Sequence, residues 1–227
     1  AETVAVLPLE QASGSEEFAG LGRALAGMVV SDLVAVPALD VVERDRLDAL
    51  LAEIELGKTE FIDPATAARV GAGVGAQLVV LGSFSVIEGT LAMDARVVRV
   101  DSGDVVTAAR GDGPLDEFVA VEKRCVAGLL DGLEVKLAAR VQRKVEEQVP
   151  TEDFTALAAW GRGLEAQAAG DGEAARRAFG EAVYADPEFA EARAALVSLR
   201  ARVDEARQAR AEQLLGEHSA ARKAALE

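Results

Sequence analysis

Apolar and polar residues alternate between two periods along this chain, and the changes of period mark its elements. Thr3 to Leu9 reads TVAVLPL, an apolar run of strand length. From Glu16 to Val36 the apolar residues Phe18, Leu21, Leu25, Met28, Val29, Leu33 and Val36 recur at spacings of three and four. That spacing predicts an amphipathic helix, closed by Pro37. Leu39 to Val42 predicts a second short strand. Asp45 to Leu56 places Leu47, Leu50, Leu51 and Ile54 on one helical face, with Gly57 as its stop. Asp63-Pro64 predicts a helix start, Asp as N-cap and Pro in the first turn. This helix ends among the glycines from Gly71 to Gly75.

Gln77 to Val86 reads as a buried strand. Leu91 to Val100 alternates, with Leu91, Met93, Ala95, Val97 and Arg99 on one side. Asp101-Ser102-Gly103-Asp104 is a turn sequence, and Val105 to Arg110 returns as the partner strand. Leu115 to Leu130 is helical again. The remainder predicts helices over Glu134 to Gln148, after Thr151, and from Glu188 to about Leu215, broken at Gly170-Asp171-Gly172 and Asp186-Pro187. The expected fold is α+β: a mixed sheet of about five strands covered by helices, followed by an all-α module.

Charge and composition shift together near residue 132. Residues 1–132 carry a net charge of −12, and residues 133–227 carry −3 and are rich in helix formers. The expected domains are 1–132 and 133–227. The total of −15 argues against nucleic acid and anionic lipid as partners. No apolar run reaches the roughly 18 residues of a membrane-spanning helix. One cysteine, Cys125, and one histidine, His218, leave little material for disulfide, metal or general-base chemistry. We therefore expect no catalytic residues, no cofactor and no metal. The glycines from Gly71 to Gly75 follow a helix and open a strand, the wrong order for a phosphate loop. The start, Ala1-Glu2-Thr3, is what cleavage of a signal peptide leaves, although an intracellular chain lacking its Met looks the same.

Two segments resemble known families. AVLPL near the start, VVERDRLDALLAE (41–53), DPATAARVGAGVGAQLVVLGSFSV (63–86) and RVVRVDSGDVVTAAR (96–110) are together similar to the CsgG family of bacterial envelope proteins. They also resemble the N-terminal domain of TolB-like proteins. The curli-secreting member of the family is a ring-forming, lipid-anchored pore with two membrane hairpins. Here only Ile87-Glu88-Gly89-Thr90 occupies the first hairpin's place, and Gly111-Asp112-Gly113-Pro114 leads directly toward a helix in the second's. A membrane strand needs about 9–11 residues, so the resemblance implies a relative outside the pore wall. The second resemblance is to a tetratricopeptide repeat. Counted from Ala156, Gly163, Gly170-Asp171, Ala175, Phe179, Ala182 and Pro187 fall at that family's small-residue, aromatic and proline positions. Arg162 stands where a Leu is usual.

The resemblances imply a non-catalytic assembly or scaffold component in the bacterial periplasm, its signal peptide removed. They also imply protein partners in the cell envelope, with a homo-oligomer as one form. The rival reading is a TolB-like sensor that binds a small molecule. In a tetratricopeptide the face carrying Leu157, Trp160, Leu164 and Gln167 lines the partner groove; packing on a neighbouring helix is the alternative. Arg44 and Arg46 are candidates to tie their helix to the rest of the chain or to another subunit. Asp45 and Asp48 share a face but specify no reaction. Cys125 reads as a buried small apolar residue, and His218 as solvated. The last helix either folds back or pairs with a second copy.

Overall fold

A computed structural model describes residues 1–13, 15–53 and 63–201. Strand β1 (Glu2–Val6) leads through Leu7-Pro8-Leu9 to β2 (Glu10–Ser13), and after a short 3-10 turn the chain enters α1 (Leu21–Val34). Then come β3 (Leu39–Val41), α2 (Arg44–Glu53), α3 (Pro64–Gly73), β4 (Leu78–Ile87), β5 (Thr90–Arg99) and β6 (Val105–Pro114). The last elements are α4 (Phe118–Gly132), α5 (Ala139–Glu147), α6 (Phe154–Ala168), α7 (Gly172–Ala185) and α8 over 190–201.

The sheet is mixed, in the order β3-β1-β4-β5-β6, with β2 also paired to β4. The β3, β1 and β4 strands are parallel, and β4, β5 and β6 form an antiparallel meander. This is the expected α+β sheet with one strand more. Only β2, the polar run EQAS, escapes the apolar pattern, because it lies on the rim and buries nothing. It continues the path of β1 along β4 after Pro8, which cannot donate to a ladder.

Alternation along the strands serves two faces. Val4, Val6, Leu78, Val80, Leu91, Met93 and Val97 point to a core roofed by α1 and α4. Ala5, Leu7, Val79, Leu81 and Val98 point to a smaller core under α2 and α3. Asp63 caps α3 by accepting the Thr66 N–H at 2.9 Å, as its sequence predicts. Glu88 and Gly89 make a two-residue turn between β4 and β5 with φ of 49° and 76°. A mirror-type turn demands positive φ at both positions, and glycine adopts it without strain.

Three expected boundaries move by four residues or more. The helix expected from Glu16 begins at Leu21, after a 3-10 turn over Glu16–Phe18. β6 runs on to Pro114 instead of stopping at Arg110, since Gly111 lets the Val121 carbonyl of α4 sit directly on the strand. The helix expected from Glu134 begins at Ala139. There α4 ends in a Schellman turn: Val135 N–H donates to the Leu130 carbonyl at 3.0 Å and Glu134 N–H to Asp131 at 2.9 Å. Glu134 takes the left-handed φ of 55°, and Leu133, Val135 and Leu137 pack on the core. Ile54, Leu56, Gly57 and His218, and the part of the expected last helix past residue 201, lie outside the described residues.

The α6 and α7 helices form an antiparallel hairpin, each capped by an Asp side chain: Asp153 accepts from Ala156 N–H and Asp171 from Ala174 N–H. A Cβ at Gly163 would strike the Phe179 ring, so that glycine sets the spacing of the hairpin. The hairpin lies across α1. Its Ala156, Leu157, Trp160, Leu164, Ala175 and Phe179 belong to the same apolar cluster as the α1 and α4 side chains. Residues on both sides of position 132 thus share one core.

Candidate functional site at the junction of α1 and the helical hairpin

The N-terminal half of α1 meets α6 backbone to backbone. A Cβ at Gly161 would collide with the Gly20 carbonyl, and one at Gly27 with the Trp160 ring. Trp160 stacks edge-on with Phe189 at 5.1 Å between ring centroids, and the Arg44 guanidinium sits 5.5 Å over its face. A cation held over an indole out of water is worth about 1–2 kcal/mol. Arg23 reaches two helices at once: Nη1 donates to Asp48 of α2 at 2.7 Å and Nε to Glu165 of α6 at 2.7 Å. Burial alone would lower the Arg23 guanidinium, but Asp48 and Glu165 outweigh it and hold it above its ordinary value. Arg44 moves the other way. Burial lowers it, and Asp48 offsets only part of that.

The C-terminal half of α1 carries a different network. Asp32 on α1 and Glu122 on α4 are fully buried. Lys123 Nζ donates to Asp32 Oδ1 at 2.6 Å and to the Gln148 carbonyl at 2.7 Å. The Gln148 side-chain amide donates to Ser31 Oγ at 2.8 Å and to the Ser31 carbonyl at 3.1 Å. Burial pushes Asp32 up to about 6, against the pull of Lys123. Burial and then the charge of Asp32 raise Glu122 well above the usual carboxylate range.

These placements revise the expected site. Leu157, Trp160 and Leu164 do not line a partner groove. They are buried in the chain's own core, at 0%, 5% and 7% exposure, because α1 occupies the face a repeat array would leave open. Gln167, one turn on, is half-buried. Arg44 ties α2 to α6 through Trp160, while Arg46 stays exposed. Of the two candidate carboxylates on α2, Asp45 and Asp48, Asp48 is spent on Arg23. The Cys125 thiol is buried and pushed up to about 12, mainly by burial, with Glu122 adding to it. Gly71 packs against Val79 and Val100 side chains, leaving no phosphate loop. No motif marks the pair Asp32 and Glu122, yet its signal is in the chain. Asp32 lies four residues after Met28 and four before Val36, and Glu122 lies four after Phe118 and three before Cys125. Both are charges on apolar stripes.

A third feature lies at the carboxyl ends of the parallel strands. There β2 takes over from β1 beside β4, and the start of α3 lies by the sheet face that carries Leu81 and Arg96. A cavity of about 260 Å³ sits there, between Pro8, Asp63, Leu81, Ser83 and Arg96.

The family model described as "Curli production assembly/transport component CsgG" matches residues 2–91, which spans β1 to the start of β5. No curated protein matches the chain. Among solved structures, the chain is similar to the LpoB C-terminal domain from Salmonella enterica, at 15% identity and a TM-score of 0.40, covering 50% of this chain and 82% of that one. It is also similar to a PelC dodecamer from Paraburkholderia phytofirmans, at 14% identity and a TM-score of 0.35, covering 60% of this chain and 89% of that one. No helix among the described residues is long and apolar enough to cross a membrane.

Proposed function

We propose that this chain is a non-catalytic protein-interaction component of the bacterial envelope. Its CsgG-like region serves assembly, and its helical hairpin, similar to one tetratricopeptide unit, braces that region. The observation that carries this reading is the CsgG match over residues 2–91, a region that supplies β1 to β4 of the sheet together with α1, α2 and α3. The tight turn at Glu88-Gly89 and the run of β6 into Pro114 support a place outside a pore wall, since strand pairing continues where the pore-former has membrane hairpins. The non-catalytic part is supported by burial. Among the described residues, the carboxyls with raised pKa, Asp32 and Glu122, are enclosed where no substrate reaches them. Light scattering behind a sizing column, at several concentrations, tests the assembly role. A stable species of many subunits is the expected result; a monomer at every concentration overturns self-assembly.

A second reading, a sensor domain for a small molecule, has the cavity beside Ser83 and Arg96 in its favour. Its volume of about 260 Å³ is below the roughly 300–1,000 Å³ of ordinary ligand sites, so the assembly reading is preferred. A compound that raises the Tm of the wild type but not of a Ser83→Tyr variant would reverse that preference.

A further inference from the structure

Asp32 and Glu122 together bring four carboxyl oxygens into the core. Three of them, Asp32 Oδ2 and both oxygens of Glu122, accept no hydrogen bond from the described residues. The nearby ammonium is that of Lys123, 2.6 Å from Asp32 Oδ1 and 3.8 Å from Glu122 Oε2. Two carboxylates against one ammonium leave a net negative charge away from water, which is among the costliest arrangements in a protein. A single proton removes it. It turns one carboxyl into a donor to the other and leaves Lys123 paired with the remaining anion.

Geometry links this pair to the hairpin. The ammonium that balances the carboxyls also holds the Gln148 carbonyl, and the Gln148 amide holds Ser31, the neighbour of Asp32. Gln148 closes α5, and the chain passes from it through Val149-Pro150-Thr151 into α6. We propose that one proton shared by Asp32 and Glu122 is a latch that keeps the hairpin docked on α1 and α4. When it leaves, α1 and α4 carry facing negative charges, Lys123 is drawn from Gln148 toward the carboxylates, and the entry to α6 loosens. The groups that bear on the pair are Lys123 on α4, the neutral Ser31 and Gln148, and, from the sheet side, the neutral Cys125 thiol with Asp94 behind it. On the hairpin side, Asp153 is committed to the Ala156 N–H and Asp186 to the Thr151 hydroxyl.

Trp160, the one tryptophan of the chain, is buried at the docking surface and reports on it directly. The experiment follows Trp160 emission and amide exchange, corrected for intrinsic rate, on the full chain from about pH 5 to about pH 9. As pH rises, emission is expected to move to longer wavelength. Amides of α6 and α7 are expected to lose about tenfold in protection while those of β4 and β5 keep theirs. In Glu122→Gln, which keeps a donor for Asp32 and cannot titrate, both signals stay flat and docked. A wild type whose emission is constant across this range overturns the latch. So does a Glu122→Gln variant that keeps the wild-type pH dependence, or a loss of protection shared equally by β4 and β5. If Glu122→Gln does not fold, Asp32→Asn carries the same prediction. The carbon-13 carboxyl resonance of Glu122 in the wild type then decides: titration in the ordinary glutamate range sinks the idea.

Discussion

One helix, α1, fastens the hairpin at two places that obey opposite rules. Near its start, Arg23 faces Asp48 and Glu165 at a rim where water reaches all three side chains. Every charge there has a counter-charge, and losing one leaves partners that water can solvate. Near its end, Asp32 and Glu122 are sealed from water with one ammonium between them. There the desolvation penalty decides, and protonation state matters more than geometry. The first fastener responds to salt and the second to protons.

Removing the ammonium is the largest blow to this contrast. Lys123→Met leaves two buried carboxyls without a cation, and breaking a buried pair in this way costs about 3–5 kcal/mol. Urea unfolding at neutral pH measures it, and the loss should shrink at acid pH, where both carboxyls hold protons. A cost independent of pH would contradict the buried-charge account. Packing comes next. Gly161→Val forces side-chain atoms onto the Gly20 backbone, and overpacking of this kind costs about 1–3 kcal/mol. If it costs nothing, the ion networks rather than the close backbone contact hold the hairpin.

The pH profile of overall stability sharpens the comparison further. Asp32 is raised to about 6 from an ordinary 3.8, and Glu122 is raised above 4.5. The folded state therefore binds more protons than the unfolded state. Their contribution is fully present below about pH 4 and is lost as pH rises through 6 toward the value of Glu122. The slope is at most about 1.4 kcal/mol per pH unit for each proton released. Glu122→Gln should flatten it in a series of thermal melts. The smallest effect belongs to the rim. Arg23→Ala should cost about 1 kcal/mol at low salt and less at high salt, because its partners Asp48 and Glu165 stay within reach of water. A larger, salt-insensitive loss would place Arg23 in the same class as Lys123.

Much of the fold was legible because its elements are local in origin. The Asp63-Pro64 cap, the alternation of Leu91, Met93, Ala95 and Val97, and the Asp101–Asp104 turn each depend on a few neighbouring residues, and each stands where it was expected. The polar β2 strand carried no such signal. Neither did the Schellman stop at Glu134, where a residue other than glycine takes the left-handed turn because apolar Leu133, Val135 and Leu137 must reach the core. The candidate site was half legible. Trp160 stands out as the lone tryptophan and Arg44 as one of a charged cluster, but the face carrying Leu157, Trp160 and Leu164 reads identically whether it meets a partner or its own chain.

The sequence by itself determined the periods, the caps and the places where chain direction changes, since these are decided by side-chain spacing and backbone conformation within a few residues. It also placed charges at Asp32 and Glu122 on stripes that had to face inward. Only the tertiary structure decided that α1 closes the hairpin's apolar face and that the two carboxyls meet around a single lysine. Those contacts join residues 91 positions apart, from Asp32 to Lys123, and 142 apart, from Arg23 to Glu165. Which surfaces meet over such separations depends on how the whole chain shares out its buried area, and no local pattern encodes it.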